Sequence, residues 1–104
     1  MDCVNPSVDP REEIGRRIRE IRIRRKLTPE GLAAIAELDV SNIRKIETGA
    51  NPTITTLLRI VGVLEVELGD LLRDVSPYAL PADQRPLRLS EVPETFFRPT
   101  DRIA

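Results

Sequence analysis

The stretch Leu32–Gly49, LAAIAELDVSNIRKIETG, constrains the fold of this chain more than any other. Ala33 and Ala36 fall on the inner face of a first short helix and Leu38 falls in a turn. Ile43 and Ile46 are spaced to face back toward that helix from a second one. Asp39 is placed to N-cap the second helix, because its carboxylate can accept a hydrogen bond from an N–H of the first turn. Gly49 stops that helix, since glycine enters the left-handed region without a Cβ clash. This leaves Val40, Ser41, Arg44, Lys45 and Thr48 on the outer face. A short helix with an apolar inner edge and a polar outer edge suits a DNA major groove. The same periodicity also fits a helical hairpin that only packs.

Composition narrows the setting. With 104 residues the chain allows one domain and one modest core. Aromatics are 3% of the sequence and Trp is absent, so the core must come from Ile, Leu, Val and Ala, which favours closely packed helices. No apolar run approaches the roughly 20 residues that cross a bilayer, and the start lacks the basic and apolar regions of a secretory signal. The expected location is therefore cytoplasmic, on the nucleoid when bound to DNA. Cys3 is the one cysteine and His is absent, which leaves no internal disulfide and no zinc site. No Gly-rich loop or paired carboxylates form a catalytic frame, so neither an enzyme nor a cofactor is expected. The net charge of −1 hides a gradient: residues 11–48 carry +3 and the remainder −4. Any nucleic-acid contact belongs to the first half.

In chain order, residues 1–8 read as a lead-in. Asp9-Pro10-Arg11-Glu12 opens a helix, with Asp9 as N-cap, Pro10 at the first helical position and Glu12 as in a capping box. That helix is expected to reach about Arg25, with Ile14, Ile18 and Ile21 as its buried stripe. Most of the arginines around the stripe are expected in solvent, with one or two able to reach phosphates. Thr28 and Pro29 repeat the start signal for the first helix of the central pair. Thr53 caps a fourth helix over 54–64, with Leu57, Ile60, Val61 and Leu64 inward and Ile54 and Leu58 at the margins. A fifth helix from Glu67 to about Arg73 presents Leu68, Leu71 and Leu72, more apolar surface than one small bundle covers. From Asp74 onward, Pro77, Pro81, Pro86, Pro93 and Pro99 forbid a long helix. An extended tail is expected there, with Tyr78, Phe96 and Phe97 as anchors and Leu87-Arg88-Leu89 alternating like a short strand.

With five helices placed, residues 14–72 resemble the helix-turn-helix domain of the Xre family, the lambda-repressor-like DNA-binding fold. The resemblance is carried by Ile14-Gly15, Ile18-Arg19-Glu20-Ile21-Arg22, Leu32-Ala33, Ile43, Ile46-Glu47-Thr48-Gly49, Asn51-Pro52, Leu57-Leu58-Arg59-Ile60 and Leu71-Leu72, in one ungapped register. It implies an all-α, five-helix lambda-repressor-like domain, which the helix signals bound at residues 9–73, with the Pro-rich tail over 74–104 lying beyond the resemblance. It also implies a partly buried ion pair between Arg22 and Glu47. The chain departs from the family at four positions. Glu37 and Glu65 stand where Gly is usual, Pro29 stands where a phosphate-contacting Gln is common, and Val40 occupies the leading base-reading position.

The expected function is a sequence-specific transcriptional regulator, a repressor binding double-stranded DNA as a homodimer on a pseudo-palindromic operator. Ser41, Arg44 and Lys45 would lie in the major groove, Val40 would touch a thymine methyl or a sugar, and Asn42 and Thr28 would hold phosphate. Leu68, Leu71 and Leu72 would form the dimer interface, with residues 78–97 running across it. The alternative is an antitoxin-type or other regulator whose tail, residues 78–104, binds a second protein.

Overall fold

In a computed structural model, which describes residues 8–99, five α-helices are followed by a chain of short 3₁₀ turns, with no strand among the described residues. The helices are α1 (Pro10–Arg24), α2 (Pro29–Ala36), α3 (Val40–Glu47), α4 (Ile54–Leu64) and α5 (Leu68–Leu71). Each of the first four begins on a side-chain cap. Asp9 accepts from the Arg11 N–H, Thr28 from Gly31, Asp39 from Ser41 and Thr53 from Thr56. Pro10 and Pro29 occupy first-turn positions, where a missing N–H costs nothing.

The core is aliphatic throughout. Ile18, Leu32, Ile43, Ile46, Ile60, Leu64 and Leu71 are fully buried, while Ile14 and Ile21 pack on it from its edge. Ala33 and Ala36 are also buried, and their small side chains let α2 approach α3 and α4 closely. Arg17 of α1 and Arg25, which caps its C-terminal end, serve the fold directly. The Arg17 guanidinium donates to the carbonyls of Leu71 (2.9 Å) and Arg73 (2.7 Å), and Arg25 Nε donates to the Leu64 carbonyl (2.9 Å). Both satisfy acceptors that α4 and α5 leave open at their C-terminal ends.

Three expectations are corrected. Helix α5 has four residues, Leu68–Leu71, because the chain leaves the helix through Leu72 and turns at Asp74, where φ is 62°. Leu71 is 1% exposed in its own core, and Leu68 and Leu72 are half-buried, so Leu71 offers no surface to a second chain. Leu87–Leu89 form no strand, since no neighbouring segment supplies a ladder; Leu89–Glu91 instead makes a 3₁₀ turn. Of the tail's anchors Phe96 is 76% exposed, while Tyr78 and Phe97 are each 37% exposed; Leu87 and Leu89 face solvent nearly as much as Phe96. Within it Arg88 stacks over the Tyr78 ring, 4.1 Å from its centroid. Apart from Val8, the lead-in lies outside the described residues, as does Cys3.

Candidate nucleic-acid interface

Helix α3 is set by contacts on its inner side. Ile43 and Ile46 sink into the core, and Glu47 receives a two-point grip from α1: Arg22 Nε lies 2.7 Å from Glu47 Oε2 and Nη2 lies 3.0 Å from Oε1. The side chains are 9% and 8% exposed. Glu47 is the first cause holding the Arg22 guanidinium above its ordinary pKa, against the opposing effect of burial. A third donor of Arg22, Nη1, reaches the Leu27 carbonyl at 2.8 Å. One guanidinium thus joins α1, the loop before α2, and the end of α3. Its donors and the carboxylate are matched, as burial of charge requires.

The outer side of α3 is polar and accessible. Ser41, Arg44, Lys45 and Thr48 are exposed, Asn42 is half-buried, and Val40 is half-buried against the core. Val40 is therefore shared between the core edge and the surface, with only part of its side chain turned outward. Two hydroxyls already have work within the helix. Ser41 donates its O–H to Asp39 Oδ1 (3.0 Å), while the Asp39 carboxylate also accepts the Ser41 N–H (2.9 Å); the two bonds hold Asp39 below its ordinary pKa, the backbone one first. Thr48 Oγ1 donates back to the carbonyls of Arg44 and Lys45. Arg44 and Lys45 are the long, flexible cations of this face.

The start of α2 stands beside the middle of α3. Thr28 Oγ1 caps α2 by accepting from Gly31 N–H at 2.9 Å, which leaves its own O–H available to an acceptor such as a phosphate. Two residues on, the Glu30 carboxylate pairs with Arg44 Nη2. Sequence reasoning passed over Glu30, because the contact bridges two helices and no local spacing reveals it. It also passed over the reach of Arg17 and Arg25 to backbone carbonyls far along the chain, at Leu71 and Arg73 and at Leu64. Leu68, Leu71 and Leu72, by contrast, are not part of this face; they pack near α1 and α4.

A helix-turn-helix family model, of the Xre or lambda-repressor-like type, matches residues 18–71, more than half of the chain. The chain belongs to that family. No curated protein matches it at a significant level. As a family member it carries a DNA-binding regulatory domain, in which α2 and α3 are the two helices of the motif. None of the helices among the described residues is long and apolar enough to cross a membrane.

Proposed function

We propose that this helix-turn-helix protein is a sequence-specific transcriptional regulator, acting as a repressor by occupying an operator as a homodimer. The observation that carries the reading is the contrast between the two sides of α3. Its inner side is fixed by Ile43, Ile46 and the Arg22–Glu47 pair, while its outer side offers Arg44, Lys45 and Ser41 without steric cover. A fixed helix with an exposed polar face can repeat one geometry on each groove it enters, which reading bases requires. Arg44 takes guanine O6 and N7, Lys45 reads or neutralises nearby, and Thr28 with Asn42 holds phosphate. Repression by occlusion needs nothing beyond this contact surface.

A homodimer would explain the apolar side chains left outside the core. Leu68 and Leu72 remain at the half-buried edge of α5, and Ile54, Leu58 and Gly62 form an exposed stripe along α4. The tail supports a second reading, in which a different protein is gripped by residues 78–104, because Leu87, Leu89 and Phe96 are largely exposed in the single chain. Two measurements test the main reading. Selection from a randomised duplex pool should enrich an inverted repeat with half-site centres about 34 Å apart. Sedimentation should show a dimer that Leu68→Glu or Leu58→Glu dissociates. An unenriched pool overturns sequence-specific binding, and a protein that stays monomeric both alone and on the enriched duplex overturns the homodimer.

A further inference from the structure

Glu30 places a carboxylate on the face proposed to meet DNA phosphates. It lies in the first turn of α2, and its carboxylate pairs with Arg44 Nη2 across to α3. The two side chains are 61% and 55% exposed, so the pair adds little to the stability of the fold. On a DNA-binding face, an extra negative charge also lowers affinity, since attraction to phosphates supplies most non-sequence-specific binding. A carboxylate in the first turn of α2 also suits the helix dipole, but that does not require it to reach across to Arg44.

We propose that Glu30 is a positioning residue that determines specificity, holding the Arg44 guanidinium as a fork aimed at base edges and keeping it off the phosphates. This role rests on the DNA-reading function proposed above. The guanidinium carries five N–H donors in a rigid plane. Glu30 engages one hydrogen of Nη2, which leaves the other Nη2 hydrogen to act with the donor beside it on the same edge of the plane as a fork on the two major-groove acceptors of one guanine. An arginine without that tether has several rotatable bonds and settles on phosphate as readily as on a base. Pairing it before binding removes part of the ordering cost from the binding step. The same carboxylate repels any phosphate that Arg44 might otherwise seek. Both effects weaken random-sequence binding relative to binding at the cognate site.

The test is a set of fluorescence anisotropy titrations with the full chain. The duplexes are one enriched from a randomised pool and a scrambled duplex of equal composition. The proteins are wild type, Glu30→Gln, Arg44→Ala and the double variant. Gln keeps the size of Glu and removes its charge. Glu30→Gln should bind the scrambled duplex about threefold more tightly, from the lost repulsion. Its ratio of cognate to scrambled affinity should fall about tenfold, with relaxed preference confined to the base pair that Arg44 reads. In the Arg44→Ala background, Glu30→Gln should leave the ratio unchanged. Equal tightening on both duplexes, no change on either, or a ratio effect that survives loss of Arg44 overturns the proposal. A wild-type chain that prefers no enriched duplex overturns the DNA-reading function itself, and that result precedes any variant. Thermal melting should change little in Glu30→Gln, since the pair is exposed and only a first-turn charge is lost.

Discussion

Gly15 of α1 lies against the backbone of α3 at Ile46: a Cβ on Gly15 would stand 2.2 Å from the Ile46 carbonyl oxygen and 3.1 Å from the Glu47 carbonyl carbon. The obstacle is backbone, which cannot rotate away as a side chain can. Gly15 therefore sets how closely α1 and α3 cross, and Arg22, two turns further along α1, reaches Glu47 across the same crossing. Gly15→Ala should separate the helices and destabilise the domain by about 1–3 kcal/mol. Thermal unfolding by circular dichroism checks it, and an unchanged midpoint would show that the crossing adjusts.

Removing one member of the Arg22–Glu47 pair should cost more than the pair itself contributes. Glu47→Ala strands a guanidinium beneath the surface, and the expected loss is about 3 kcal/mol. The double variant Arg22→Met with Glu47→Leu should recover most of it, because no buried charge is then left alone. If the single and double variants melt alike, the pair is not the lock between α1 and α3.

Much of this was legible in the sequence because each signal is local. Asp9, Thr28, Asp39 and Thr53 all cap where their side chains and the following turn predict, and α4 spans the same residues that its 3.6-residue periodicity marks. The Arg22–Glu47 contact is separated by 25 residues, and only the family resemblance pointed to it. The misjudged parts depend on what a segment packs against. The apolar spacing of Leu68, Leu71 and Leu72 is the same for a core edge as for a dimer face, and burial assigns Leu71 alone to the core. In the tail, alternation at Leu87–Leu89 could not become a strand without a partner. The Glu30–Arg44 pair bridges two helices, which periodicity within either cannot register.

Glu65 ends α4 with φ 59° and Glu37 ends α2 with φ 60°, so the backbone keeps the left-handed turns although neither residue is glycine. Both are exposed, which leaves backbone strain without a compensating contact in the core. Glu65→Gly should therefore stabilise the domain by about 1 kcal/mol, since the left-handed penalty for a side chain exceeds the entropy that glycine brings to the unfolded chain. That corresponds to a rise of about 4–8 °C in Tm for a domain of this size. A fall in Tm would mean that the Glu65 side chain supports the turn.

Acid should weaken the fold through Glu13. Its buried carboxylate accepts from Arg16 Nη2 at 2.6 Å and Arg17 Nε at 2.8 Å, and the Arg16 hydrogen bond, followed by that of Arg17, holds it below its ordinary pKa in spite of burial. A carboxyl whose folded pKa is depressed stabilises above its unfolded pKa and loses that contribution as pH falls through the folded one. Stability should thus be level near neutrality and decline below about pH 5, where an unpaired Glu begins to protonate. In Glu13→Gln the melting temperature should be lower at pH 7 and less dependent on acid. An acid slope identical to wild type would assign the effect to other carboxylates.

The central claim, that the outer face of α3 reads bases in the major groove through Arg44, is tested most directly by removing the acceptor and leaving the protein intact. In the enriched duplex each guanine is replaced in turn by 7-deazaguanine, which lacks the N7 acceptor, and affinity is followed by anisotropy. The account predicts one sensitive guanine per half-site, with a loss of about 5- to 150-fold, equivalent to about 1–3 kcal/mol. In Arg44→Ala that sensitivity should vanish. Affinity that is unchanged at every guanine, or a sensitive guanine that persists without Arg44, would contradict it.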